Sequence, residues 1–192
     1  MIVLASSSPR RQSLLRHLGV EFEVDPSDVE EIIPEGAAPQ EAAETLALQK
    51  ASEVGERHPD SVVLAADTIV VLDGAVLGKP ESHEDARRML RMLSGRTHAV
   101  YTGVALVHRR SGREFIAHEK TLVTFSPLSD EEIAGYVATG SPMDKAGAYG
   151  IQDDRGALFV CHLEGDYYNV MGLPVSKVYR MAREHFPDVR IF

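Results

Sequence analysis

Cysteine is almost absent: Cys161 is the single thiol in 192 residues. One thiol forms no intrachain disulfide and no thiolate metal cage, so a reducing cytoplasm is the expected compartment. Positive charge is in deficit as well, with 20 Lys+Arg against 29 Asp+Glu and a formal net charge of -9. Duplex binders draw most of their affinity from neutralising phosphates, so this balance argues against a nucleic-acid polymer as partner. Any polyanion must be held by a local cluster of cations working against the overall field. Long apolar runs are missing too. Ile2–Ala5 breaks off at Ser6-Ser7-Ser8-Pro9-Arg10-Arg11, too short for a signal-peptide core or a membrane span, so no membrane partner is expected. There is no internal repeat, low-complexity tract or linker. The His residues are scattered, with no H-E-x-x-H spacing, and no G-x-S-x-G elbow surrounds the Ser-rich loop, which argues against covalent serine chemistry.

What is present has globular proportions, 44% hydrophobic and 26% charged. The length fits one domain over residues 1–192, or two lobes sharing a core. Strand and helix signals alternate. Ile2–Ala5 reads as a buried strand, followed by a helix with Ser8 as N-cap, Pro9 as first helical residue and Gly19 as stop. Gln40–Arg57 reads as a second helix with Ala43, Leu46, Ala47, Ala51 and Val54 on one side. Val62–Leu72 is a β-branched run interrupted by Asp67-Thr68, and Asp73-Gly74 turns it into Ala75–Leu77. Ser82-x-x-Asp85 and Ser129-x-x-Glu132 resemble capping boxes that open helices ending near Gly95 and Gly140. His98–His108 and Glu114–Phe125 read as strands joined across Arg109–Arg113, Ala157–Leu163 as a further strand and Pro174–Glu184 as a last helix. Asp25–Pro39 is acidic, rich in Pro, and reads as a loop able to act as a mobile flap. The mixture predicts an α/β protein with a mixed sheet.

Five places carry chemistry. At Leu4–Arg11 a strand runs through Ser6–Ser8 into a helix start, where backbone N–H groups and the helix dipole favour anions. Arg10 and Arg11 add two guanidiniums able to grip phosphate oxygens, although cations in a first helical turn oppose the dipole. Lys50 lies near the apolar face of its helix, either snorkelling from its edge or entering a cleft. Asp67 sits inside an apolar strand, so the fold must supply it with a cation, a metal or donors; such a carboxylate suits metal binding or water activation. Gly78-Lys79-Pro80 fixes a lysine on a stiff backbone, suited to hold phosphate as a point charge. Met143–Gln152 is rich in glycine, and the Gln152 amide offers a donor and an acceptor side by side, matching a uracil or thymine edge. Glu30 or Glu31 on the acidic loop are candidates to complete a metal shell around Asp67.

Taken in order, Leu4-Ala-Ser-Ser-Ser-Pro-Arg-Arg11, Lys50-Ala51, Ala66-Asp-Thr-Ile-Val70, Leu77-Gly-Lys-Pro80, Leu93-Ser-Gly-Arg-Thr-His98, Asp144-Lys-Ala-Gly-Ala-Tyr-Gly-Ile-Gln152 and Gly165-Asp-Tyr-Tyr-Asn-Val-Met-Gly-Leu-Pro174 resemble the Maf family of nucleoside triphosphate pyrophosphatases. The resemblance implies a bent mixed β-sheet flanked by helices, with two lobes around a central cleft, as in the related inosine triphosphatase-like enzymes. It implies hydrolysis of a nucleoside triphosphate to the monophosphate and pyrophosphate with a divalent cation, Mg2+ or Mn2+. By position, Asp67 matches the family's catalytic proton acceptor, and Ser6, Arg10, Lys50 and Lys79 its phosphate-handling residues. Arg11, Thr68 and Gln152 match the subgroup acting on dTTP and UTP. The family is linked to removal of modified nucleotides and to inhibition of septum formation, and a homodimer is an ordinary expectation for a soluble enzyme. A nucleotidyltransferase and a non-catalytic nucleotide sensor are the rival readings.

Overall fold

The computed structural model describes residues 1–152 and 155–189. Its seven-stranded sheet begins with β1 (Ile2–Leu4), whose three residues are all buried. β1 pairs in parallel with β2 (Phe22–Val24) on one side and with β3 (Val62–Leu72) on the other, Ile2 standing opposite both Phe22 and Val62. β3 folds back antiparallel onto β4 (Ala75–Leu77), with Val70 opposite Leu77 across the Asp73-Gly74 turn. The order runs β2-β1-β3-β5-β6-β7, where β5 is Thr97–His108, β6 is Arg113–Phe125 and β7 is Val160–Glu164, antiparallel to β6. The mixed sheet expected from coexisting hairpins and helical crossovers is therefore present.

The helices are α1 (Pro9–His17), α2 (Pro39–Arg57), α3 (His83–Leu93), α4 (Asp130–Val137), the single turn α5 (Tyr167–Val170) and α6 (Val175–His185). Backbone capping explains several starts. The Ser82 hydroxyl accepts the Asp85 N–H at 3.1 Å, and at α4 Ser129 and Glu132 satisfy each other's N–H groups reciprocally. The shorter Asp85 carboxylate reaches the Glu81 N–H instead of that of Ser82. At α1 the expectation fails in one respect. Ser8 is the cap residue, but its side chain makes no capping bond; its own N–H donates to Ser6 Oγ, and Pro9 fixes the first turn. The expected strand over Ala157–Leu163 starts late, because Gly156–Phe159 forms a 3-10 turn before β7. β2 and α5 were not anticipated, being too short to show a period.

The chain divides into two compact units, one of Met1–Asp67, Thr102–Glu119 and Gly172 onwards, the other of Thr68–Tyr101 and Lys120–Met171. The core of the first gathers Val3 and Ala5 of β1, Ala47, Ala51 and Val54 of α2, Val63 and Ala65 of β3, and Ala105 and Val107 of β5. Small side chains let α2 lie close to the sheet, and Gly103 takes this to its limit: a Cβ there would stand 2.2 Å from the Ala43 carbonyl oxygen. That approach sets the level of α2, and with it Lys50. The second unit packs Val70, Leu77, Leu90, Leu93, Phe125, Tyr136, Tyr149 and Phe159, a core richer in aromatics, with Phe125 edge-on to both Tyr149 and Phe159.

Candidate active site

β3 is buried at every position but two, and those two are Asp67 and Thr68. The strand does not end or turn there, so Asp67 is not a capping residue; it stands mid-strand in an apolar run and needs a counter-charge. α2 provides it. Lys50 Nζ lies 2.6 Å from Asp67 Oδ1, each side chain being 16% exposed, and the same ammonium lies 2.7 Å from Glu31 Oε1. One cation thus holds two carboxylates, one from the strand and one from the acidic loop. The edge-of-face position inferred for Lys50 is where it sits, but its charge points to Asp67 rather than out to water.

That acidic loop is anchored. Arg57 and His58, at the end of α2, bind Asp25 at 2.9 and 2.8 Å, and Arg57 first, then His58, hold the Asp25 carboxyl below its ordinary value. Further along, Gln49 accepts the Ile32 N–H at 3.1 Å and donates to the Ile32 carbonyl at 2.7 Å. The flap expected over Asp25–Pro39 is therefore tied along α2 at three successive points.

The N-terminal loop brings its hydroxyl and guanidinium groups together. Ser6, 8% exposed, receives hydrogen bonds from Arg11 Nη1 at 3.0 Å and from the Ser8 N–H. Arg11 Nε donates to the Gly172 carbonyl at 2.7 Å, tying the start of α1 to the chain just before α6. Burial draws Arg11 below its ordinary pKa; the Asp67 charge opposes that, the Arg10 guanidinium adds to it, and Glu31 opposes it again. Of the residues singled out by sequence, Ser6, Arg10, Arg11, Glu31, Lys50 and Asp67 all belong to the first unit.

Thr68, Lys79 and Gln152 belong to the second unit. Lys79 is exposed and its loop is fixed from behind, where the Gly78 carbonyl accepts the Gly147 N–H at 3.0 Å. Gly147 has φ +70° and a Cβ there would meet the Val70 methyls at 3.0 and 3.2 Å, so only glycine fits without strain. Tyr136 then accepts the Gly150 N–H at 3.1 Å, two residues before the half-buried Gln152. Nearby, Lys145 is buried, with its ammonium 2.7 Å from Asp144 Oδ1 and bonded to the Ser141 carbonyl. Sequence reasoning assigned no role to Lys145, Gln49 or the Gly172 carbonyl, although Asp144-Lys145 and Gly172 stand in stretches already marked.

As a hard-cation site, the donor chemistry fits Mg2+ or Mn2+ in part: Asp67 and Glu31 offer carboxylate oxygens, but the point that Oδ1 and Oε1 share is taken by the Lys50 ammonium. Among the described residues no three of His, Cys, Asp and Glu gather into a cage, and no close contact brings Glu30 to the pair. Ions of this class commonly take one or two carboxylates and complete their shell with water and substrate phosphates, which suits Asp67 and Glu31.

No helix in the described residues is long and apolar enough to cross a membrane. Residues 1–185 match the family model described as Maf-like protein. The chain is 52% identical over 188 residues to a dTTP/UTP pyrophosphatase of Salinibacter ruber, covering 98% of this chain and 92% of the relative. It is 54% identical over 183 residues to a dTTP/UTP pyrophosphatase of Symbiobacterium thermophilum, covering 95% and 93%. A solved HAM1 protein from Coxiella burnetii, 18% identical, superposes with a TM-score of 0.50 over 95% of this chain and 98% of its own, a likeness of fold alone. With the Ser-Arg, Lys, Asp-Thr and Gly-Lys-Pro segments present in order and a family match running from the first strand to the last helix, the chain belongs to the Maf family.

Proposed function

We propose that this protein is a cytoplasmic nucleoside triphosphate pyrophosphatase, acting foremost on dTTP and UTP and clearing modified nucleotides of the same shape. The single observation that carries the reading is the mid-strand Asp67 held by Lys50 with Glu31 on the same ammonium. The names of relatives at about half identity support the substrate class.

Hydrolysis at the α-phosphorus adds water, breaks the α–β anhydride and releases pyrophosphate. Charge grows on the phosphate oxygens and on the departing pyrophosphate, so positioning and electrostatic stabilisation dominate the catalysis. Asp67 takes the proton of the attacking water. Lys50 engages it through Oδ1, which fixes the carboxylate plane and leaves Oδ2 for that proton. Arg10 and Lys79 are assigned to the phosphate tail. Arg11 holds Ser6 in place through the 3.0 Å bond, and so shapes the loop that receives phosphate oxygens. Gln152 and Thr68 are assigned to the base, where an amide satisfies the carbonyl and N–H of a thymine or uracil edge. A divalent cation, when bound, would supply further neutralisation of phosphate oxygens; Glu31 would hold it, and Asp67 would do so as the alternative to serving as the base.

The deciding experiment incubates the purified protein with Mg2+ and a panel of nucleoside triphosphates, and separates released pyrophosphate from orthophosphate. UMP and dTMP appearing with equimolar pyrophosphate, without any acceptor substrate, is the expected result. Equal kcat/KM for purine and pyrimidine substrates would remove the dTTP/UTP assignment, and intact triphosphate throughout would remove the hydrolase.

A further inference from the structure

We infer that Gln49 is a positioning residue that seats the Glu31 carboxylate on the Lys50–Asp67 pair, an inference that rests on the active-site reading above. The acidic segment has almost no structure of its own. Among the described residues its backbone hydrogen bonds lie at its two ends, Asp25 N–H to the Leu4 carbonyl and Ala37 N–H to the Pro34 carbonyl. Chain entropy therefore opposes any fixed place for Glu31, whose side chain is 53% exposed.

What opposes that entropy is a pair of consecutive helix residues gripping a pair of consecutive loop residues. Lys50 takes Glu31, and Gln49 takes Ile32 by both its backbone groups, at 3.1 and 2.7 Å. A primary amide is the side chain able to do this, because it carries a donor and an acceptor side by side and so imitates a neighbouring strand. The charge pair alone is a poor substitute, since an exposed glutamate swings at little cost. With the Ile32 peptide locked, the Glu31 side chain starts from a fixed Cα one residue away and has only its own rotamers left to settle. No catalytic group touches Gln49 itself, so its influence passes through Glu31.

Gln49→Ala removes both bonds and leaves the half-buried face of α2 otherwise intact. The variant is expected to melt within a few degrees of the parent, to lose about tenfold in kcat/KM on UTP, and to show faster hydrogen exchange at the Ile32 amide. The loss is expected in kcat more than in KM. Epistasis is the sharper test: in a Glu31→Gln background, Gln49→Ala should cost nothing further, because the carboxylate it positions is gone. Parental activity in Gln49→Ala, unchanged exchange at Ile32, or an additive loss in the double variant each overturns the inference. Absence of pyrophosphate release by the parent protein would instead overturn the hydrolase reading, so the two failures are told apart.

Discussion

Lys50 Nζ reaches across 2.6 Å to Asp67 Oδ1, joining an α2 lysine to the one acidic residue inside the β3 apolar run. Both side chains are mostly enclosed, so water screens the pair only weakly and each serves as the other's counter-charge. The pair is where structure and chemistry meet, and substitutions on its two sides should differ in kind.

Asp67→Asn keeps the shape and removes the base. Turnover is expected to fall by at least about 100-fold, since proton transfer by a positioned group is worth that much or more. Triphosphate binding should survive, because one negative charge near the phosphates has been deleted. Measured kcat for UTP, alongside calorimetric binding of a non-hydrolysable α,β-methylene analogue, checks both halves; full activity in the variant removes the role assigned to Asp67.

Lys50→Met acts from the other side. It leaves Asp67 and Glu31 without their shared cation, so both activity and triphosphate binding should fall. Lys50→Arg should rescue poorly, because a planar fork does not replace a compact ammonium set between two carboxylates at 2.6 and 2.7 Å. Kinetics of the two variants side by side decide this, and an Arg variant with parental kcat/KM contradicts it.

Much of this arrangement was legible in the residues, and what was not has a physical reason. Asp73-Gly74 between β-branched runs announces its hairpin, Ser82 and Ser129 announce their helices, and the polar pair inside Val62–Leu72 announces a carboxylate that must find a partner. All of these are local signals. The Gln49 amide on Ile32 and the Arg11 guanidinium on the Gly172 carbonyl are not, since they join residues 17 and 161 positions apart through backbone groups that carry no side-chain signature. Ser8 stands at the cap position of α1 without a side-chain capping bond, and its own N–H donates to Ser6 Oγ. β2, three residues long, shows no period and is specified by its pairing with β1.

Gly103 should be the least replaceable glycine of the first unit. A methyl at that position lands 2.2 Å from the Ala43 carbonyl oxygen and 2.5 Å from the Glu44 nitrogen, both backbone atoms that cannot rotate aside. Gly103→Ala must push α2 off the sheet, and overpacking of this sort costs about 3 kcal/mol or more. Urea unfolding measures it, and because α2 carries Lys50, activity should fall even where the variant remains folded.

Gly147→Ala should act on the second unit in a milder way. The new methyl meets Val70 side-chain carbons at 3.0 and 3.2 Å and must adopt φ +70°, so strain and contact add. The turn bonded to the Gly78 carbonyl shifts, and with it the Lys79 loop. Loss of kcat/KM for UTP is expected, and Val70→Ala in the same chain should return part of it by removing the two methyl contacts while leaving the Cβ contact at 3.2 Å and the φ strain. No recovery in the double variant would place the whole effect in the φ strain and the remaining Cβ contact.

His98 is expected to make the stability of this protein fall in acid. It is 2% exposed, its Nε2 lies 2.8 Å from the Tyr149 hydroxyl, and Nδ1 has no hydrogen-bond partner among the described residues. Burial lowers its pKa to about 4 from an ordinary 6.5, and burial likewise raises that of Tyr149. With the folded pKa below the unfolded one, the unfolded chain binds the extra proton first as pH falls. Stability from this group is therefore complete above pH 6.5, declines between about 6.5 and 4, and is lost by about 3 kcal/mol at the lower end. His98→Leu keeps an apolar group in the aromatic cluster with Phe125 and Tyr149 and removes the titration. Denaturant unfolding of parent and variant at steps from pH 7.5 to 4.5 should show the steeper fall only in the parent, and parallel pH dependences would assign the acid sensitivity to other groups.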